Sequence, residues 1–384
     1  MAARIPHRDI PFSVPFLHRL RFTQDVLGAE QHLLADVFES PLGSTARVQF
    51  WIDRNVAEGQ PRLLDQIEDF AEQHGDRISL ERPLQLVDGG EAIKNEPQGL
   101  LSILQAMHAA NLDRRSYVVV IGGGAVLDAL GFAAAIAHRG IRLVRLPSST
   151  MGQGDSGVGV KNGINLFQKK NWLGAFAVPW AVINDARLLT SLSDRDFVCG
   201  FSESVKVALL KDACLFDQLC QAARRVRRRE MDAAWPILRR SAELHREHIT
   251  LGGDPFELSQ ARPLDFGHWS AHKLESMSDY RLRHGEAVAI GVAIDTVYST
   301  LAHGLARSVT RRVLTCLRQL GIPLTDPLLA DSDTLFDGLE EFRQHLGGEL
   351  TLTMLSAVGK SVDVHHIDRA KMRQAIQQVA EFGV

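Results

Sequence analysis

The chain has no run of about 18 uncharged apolar residues, which excludes a membrane-spanning helix. Met1 to Leu20 scatters Arg and Pro and has no continuous apolar segment, so no signal peptide is expected. Only four cysteines occur in 384 residues (Cys199, Cys214, Cys220 and Cys316), none in C-x-x-C spacing. They are expected to be reduced, mostly buried thiols of a cytoplasmic protein. A net charge of −3 and a pI near 6.6 exert no overall pull toward nucleic acid or an anionic membrane. The one basic run, Arg224 to Arg229, lacks interleaved aromatics and reads as a solvated helix face. Internal repeats and low-complexity tracts are missing too.

What is present is the composition of an ordinary soluble enzyme, 45% hydrophobic and 23% charged. The length exceeds one average domain, so two are expected, each with its own core. In the first half, short apolar runs alternate with helical patterns. Arg47–Asp53, Ser116–Ile121 and Ile141–Pro147 read as strands, with Leu63–His74 and Ala125–Ala137 as helices between them. The apolar, β-branched Val118–Ile121 marks a buried parallel strand. This rhythm predicts a Rossmann-like, doubly wound α/β domain over 1–189. Beyond Leu189 the patterning is helical, over 194–211, 214–229, 233–248, 268–277, 286–303, 306–320 and 367–380. A mainly α-helical domain is therefore expected over 190–384.

Three motifs suggest chemistry. Gly122-Gly123-Gly124 lies between a buried strand and a helix, where glycines admit a pyrophosphate to a helix N-terminus. Asp53, ending its strand, is either a ribose ligand or a turn acid. The formal G-x-G-x-x-G at Gly152–Gly157 precedes what reads as loop rather than helix, so it is the weaker dinucleotide candidate. Ser148 to Lys170 reads instead as a polar substrate loop, whose Asp155, Lys161 and Lys170, with Asn171, suit a polyhydroxy anion. Glu203 beside Lys206, His268 and His272 on one helical face, and His284 before an apolar helix together offer one carboxylate and two or three imidazoles. That is the donor set of a catalytic divalent metal, zinc by default.

In this order and spacing these residues resemble the 3-dehydroquinate synthase family, more broadly the sugar phosphate cyclases, over roughly residues 45–300. The matching pieces are Asp53, Gly90-Glu91-x-x-Lys94, Gly122-Gly123-Gly124-x-x-x-Asp128, Arg139-Gly140, Leu146-Pro147-Ser148-Ser149, Asp155, Lys161, Lys170-Asn171, Gly200-x-x-Glu203-x-x-Lys206, Phe266-Gly267-His268-x-x-x-His272 and His284-Gly285-Glu286. The resemblance implies NAD+ held by Asp53, Glu91, Lys94, Gly123, Gly124, Asp128, Ser148, Ser149 and Lys170. It implies Zn2+, with Co2+ as an alternative, on Glu203, His268 and His284. It implies Lys206, His272, Asp155 and Lys161 as catalytic residues. Substrate falls to Asn171, Arg262, Asp265 and Arg139, the last reaching across a homodimer interface. The implied reaction takes a sugar phosphate through transient oxidation, phosphate elimination, reduction and intramolecular aldol closure.

The departures concern the substrate. Synthases typically carry Leu-Arg-x-x-x-Asn before Phe-Gly-His; here Gln260-Ala261-Arg262-Pro263-Leu264-Asp265 puts the arginine one position late and Asp for Asn. This form resembles cyclases of sedoheptulose 7-phosphate, which lacks a carboxylate, although those usually lose the second histidine and His272 is retained. A lysine expected some fourteen residues earlier is replaced by Glu247 or His248. Ser148-Ser149 stands for a Thr pair, Val160 for a Gly, and Arg343 or His345 for a C-terminal phosphate lysine. The expectation is an NAD- and metal-dependent C7 sugar phosphate cyclase. The alternatives are 3-dehydroquinate synthase with a shifted Arg262, a metal-dependent alcohol or glycerol dehydrogenase, and a degenerate cyclase that only binds.

Overall fold

The computed structural model describes residues 9–40, 44–95, 97–167, 169–252, 255–257, 263–345 and 348–382. Its main sheet contains β1 (Leu20–Thr23), β2 (Ala46–Asp53), β3 (Ile78–Leu80), β4 (Gln85–Val87), β5 (Tyr117–Gly122), β6 (Arg142–Pro147) and β9 (Ala181–Asp185), while β7 (Lys161–Leu166) and β8 (Lys169–Phe176) lie outside it. The order is β1-β9-β6-β5-β2-β3, with β4 also on β2, and every pairing is parallel. All six residues of β5 are buried, as a parallel strand covered on both faces must be. Alternate side chains feed two cores. Phe50, Ile52, Tyr117, Val119 and Ile121 pack with Phe70 of the helix Leu63–Gln73 on one face. Trp51, Val118 and Val120 pack with Leu127 and Leu130 of α1 (Gly124–Ile136) on the other.

Register sets the edge that matters. Ile52 pairs with Ile121, and Gly122 with Pro147, so Asp53, the glycine run and Ser148 emerge level at the carboxyl ends of adjacent strands. That edge is where open α/β sheets bind ligands.

The segment expected to be a polar loop is more ordered. A single π-helical turn, Gly152–Ser156, is followed by an antiparallel hairpin of β7 (Lys161–Leu166) and β8 (Lys169–Phe176). Its strands escape period-two reading because buried positions on β7 are asparagines, Asn162 and Asn165, which are satisfied by hydrogen bonds.

After residue 190 helices dominate. Four shape the site: α2 (Phe201–Lys211), α3 (Met231–Leu251), α4 (His268–Met277) and α5 (His284–Ala302). The expected helix 194–211 is interrupted at Gly200, where a Cβ would lie 2.3 Å from the amide nitrogen of Met151. A helix at Ser332–His345 and a hairpin of β10 (Leu352–Ala357) and β11 (Lys360–Val364), to which the patterning assigns no element, complete this half. Among the described residues no helix is long and apolar enough to cross a membrane.

Candidate active site

His268 and His284 are the first residues of α4 and α5, and glycines let these helices meet. Gly267 has φ +81° and its Cβ would lie 2.6 Å from the amide nitrogen of Val292; a Cβ on Gly291 would lie 2.0 Å from the carbonyl oxygen of Gly267. Only glycine fits both positions. Asp295, one turn beyond Gly291 on α5, accepts hydrogen bonds from the Gly267 amide (2.8 Å) and the Trp269 indole (2.9 Å) and so fixes the start of α4. Glu286 caps α5 at the Arg283 amide (2.9 Å) and receives both ends of the Arg195 guanidinium.

The two imidazoles converge on a fully buried carboxylate. Nε2 of His268 lies 3.4 Å and Nε2 of His284 3.5 Å from Oε1 of Glu203 on α2. Neither Glu203 oxygen has a partner in hydrogen-bond geometry, although the Lys206 ammonium lies 2.5 Å from Oε2. Two ligands of a tetrahedral zinc, each about 2.0–2.2 Å from the ion, stand roughly 3.4 Å apart. The separations are thus too long for good hydrogen bonds and suit donors sharing a cation. Burial alone would raise the Glu203 pKa, but Lys206 and then His268 hold it well below the usual carboxylate range. Burial opposes charge on His284 as well, yet Glu275 and Glu203 raise it to about 10.

His272, Glu275 and His284 form a second possible donor group. Glu275 is already engaged, however, with Oε2 3.1 Å from Nδ1 of His284 and Oε1 2.8 Å from Nζ of Lys170. It orients the imidazole from behind, as carboxylates do around metal-binding histidines. The sequence reading missed Glu275, though His268, His272 and Glu275 follow one another at helical spacing. His272 reaches the surface of the cleft; desolvation by the groups packed around it and then the neighbouring His268 lower its pKa, leaving a neutral imidazole.

Around this group lie Lys206, Asp155, Asp265 and Lys161. Burial raises Asp265, but Lys161, His268 and Lys206 outweigh it and keep the carboxylate charged. Lys161 is ion-paired with Glu257. Neither Glu247 nor His248 meets Asp155. Glu247 pairs with Arg240 at 3.1 Å, while burial and then Lys211 push His248 down to about 4. The contact comes from His245, one turn earlier on α3, whose Nδ1 is 2.8 Å from Oδ1 of Asp155. Arg262 lies outside the described residues, as does the His345 side chain. Arg343 is taken by Glu340 and the Gly348 carbonyl.

The sheet edge forms the neighbouring crevice. Gly123 precedes α1 and has no side chain to cap the helix, so the N-terminus is open to an anion apart from the Gly123 amide, which faces Asp53. A Cβ on Gly123 would meet nothing nearer than 3.9 Å, and Ser156, just across from Gly124, has a buried hydroxyl without a partner. Asp53 caps its own helix through the Asn55 amide (3.0 Å), as a turn acid does. Lys94 bridges Asp128 (2.9 Å) and Asn171 (2.5 Å), and Glu91 accepts from Asn165 (2.9 Å). Ser149 caps the Gly152 amide at 3.0 Å, while Ser148 is buried beside it. These residues line a site that fits a dinucleotide. Lys170, expected to be a cofactor residue, donates to Glu275 (2.8 Å). Arg139 is exposed beyond the far end of α1, about 20 Å along the helix from the glycine run.

Residues 84–199 match the 3-dehydroquinate synthase N-terminal family and residues 200–341 its C-terminal family. The chain is 35% identical to a 2-epi-5-epi-valiolone synthase of Streptomyces glaucescens over 280 residues, 72% of this chain and 71% of that one. It is 34% identical to a 3-dehydroquinate synthase of Paracoccus denitrificans (strain Pd 1222) over 308 residues, 78% and 82% of the two. The fold superposes with a TM-score of 0.86 and 26% identity on a 2-epi-5-epi-valiolone synthase from Streptomyces hygroscopicus subsp. jinggangensis 5008 with NAD+ and Zn2+ bound, covering 97% of this chain and 99% of that one.

Proposed function

The chain belongs to the 3-dehydroquinate synthase family of sugar phosphate cyclases, and on that premise we propose that it converts a C7 sugar phosphate lacking a carboxylate into a carbocycle, eliminating phosphate. The observation that carries this reading is Asp265, a side-chain anion held among Lys161, Lys206 and the imidazoles. A substrate carboxylate brought to the same cations would meet a like charge, whereas a polyol hydroxyl would find an acceptor.

Glu203, His268 and His284 would hold the metal, and the crevice from Asp53 to Ser149 the NAD+. When bound, these groups supply Lewis acidity at a substrate oxygen and a reversible hydride acceptor. The chain's own residues do the rest. Lys206 stays a cation despite burial because Glu203 and Asp155 face it, so it orients an anionic or oxyanionic group. His272, neutral and open to the cleft, can take a proton from a substrate carbon or hydroxyl and return it. Lys161, exposed apart from its pair with Glu257, would bind an anionic group of the substrate. Arg139, too distant to serve its own site, would act in a partner's site within a homodimer.

Purified protein incubated with NAD+, zinc or cobalt and sedoheptulose 7-phosphate should release inorganic phosphate and give a cyclitol by mass spectrometry. Absence of phosphate release from every C7 sugar phosphate would refute the cyclase. The retained His272 favours a second reading, 3-dehydroquinate synthase itself, which turnover of the carboxylated C7 substrate would establish. Net accumulation of NADH would instead mark a dehydrogenase.

A further inference from the structure

Lys170 and Asn171 are neighbours on β8, where Asn171 takes a left-handed backbone (φ +52°), and their side chains reach different partners. Lys170 meets one oxygen of Glu275 at 2.8 Å, and the other oxygen orients His284 at 3.1 Å. Asn171 meets Lys94 at 2.5 Å, and Lys94 meets Asp128, on the helix that follows the glycine run, at 2.9 Å. The Asn171 amide also donates to Asn165 (2.9 Å), whose own side-chain amide reaches Glu91 (2.9 Å). One dipeptide thus joins the carboxylate behind a metal ligand to the wall of the nucleotide crevice. β8 is held to β7 by the antiparallel ladder and is largely exposed on its outer side, and these polar links add contacts from it to the cleft.

We propose that Lys170 is a positioning residue that couples nucleotide binding to metal affinity. A nucleotide in the Gly123–Gly124 crevice fixes Lys94 and Asn171, which registers β8 and seats Lys170 on Glu275. Glu275 then holds the His284 ring with Nε2 toward Glu203. This rests on the assignment, made above, of NAD+ and the metal to these two sites. Coupling between two ligands is reciprocal, so NAD+ must tighten zinc by the factor with which zinc tightens NAD+.

The test measures zinc affinity by competition with a chromogenic chelator, with and without NAD+, and NAD+ affinity by calorimetry in metal-free and zinc-loaded protein. Wild type should show both factors equal, at about 5-fold or more. In K170M both should fall to about one, while K170R, which keeps a cation for Glu275, should retain coupling. Because the coupling factor is a ratio, any direct loss of NAD+ affinity in K170M cancels. The visible spectrum of the Co2+-loaded protein should shift on adding NAD+ in wild type and not in N171A. An unchanged factor in K170M, or independent binding in wild type, overturns the proposal. Failure of NAD+ to bind the zinc-loaded protein overturns the nucleotide assignment and this coupling with it.

Discussion

His245 places Nδ1 2.8 Å from Oδ1 of Asp155, tying α3 of the helical half to the π turn that follows β6. Burial and the Glu203 carboxylate push Asp155 up, but His245 and Lys206 together hold it below its ordinary value. Without the imidazole, Asp155 would relax toward Lys206 and loosen the Lys206–Glu203 pair. H245A should therefore lower kcat/KM for phosphate release roughly 10²-fold, the cost of a misplaced catalytic group. H245Q, which can still donate one hydrogen bond, should lose less. Metal content should be unchanged in both, and its loss would show a wider structural role.

H268A and H284A should each lose the bound metal. Plasma emission spectrometry should find about one zinc per chain in wild type and essentially none in either variant, by the three-ligand logic of a catalytic site. Phosphate release should fall by about 10³-fold or more, since the lost Lewis acidity is worth several kcal/mol. Zinc retained in H268A but lost in H284A would favour the second group of His272, Glu275 and His284, and zinc retained in both variants would place the ion elsewhere.

Much of this was legible in the sequence. Gly122–Gly124 after a β-branched run, and two His-bearing segments flanked by glycine, fix backbone contacts that tolerate little variation. The hairpin β7–β8 was not legible, because Asn162 and Asn165 break the apolar alternation that marks a strand. The contacts of Lys170 and His245 were not legible either. Each is made between segments about a hundred or ninety residues apart, and a lysine or histidine on its own element carries no sign of a distant partner. Arg262, central to the substrate question, lies outside the described residues.

Asp295 gives the pH dependence of the α4–α5 contact. Burial raises its carboxyl to about 7, against the Trp269 and Gly267 hydrogen bonds that favour the anion. The folded state thus keeps a proton that the unfolded chain releases near the ordinary value for Asp. Stability from this group is full below that value and is lost as pH rises through about 7. The slope is at most about 1.4 kcal/mol per pH unit for one proton. Urea unfolding at pH 5 and pH 8 should show wild type losing more stability than D295N over this interval. Parallel pH profiles for the two proteins would contradict the assignment.

Asp265 is the residue on which substrate choice should turn. Its charge is maintained by Lys161, His268 and Lys206, and the two lysines are cations that a substrate anion would otherwise neutralise. Two like charges about 8 Å apart at an effective dielectric of about 20 repel by roughly 2 kcal/mol. Removing one of them should favour the carboxylated C7 sugar phosphate over sedoheptulose 7-phosphate by about 10-fold or more in relative kcat/KM. D265N keeps the shape and an oxygen acceptor, so the comparison isolates charge. Competition assays with both substrates, scored by product mass, give this ratio directly. A ratio that stays constant would mean that Asp265 does not face the substrate, and discrimination would then pass to the segment around Arg262.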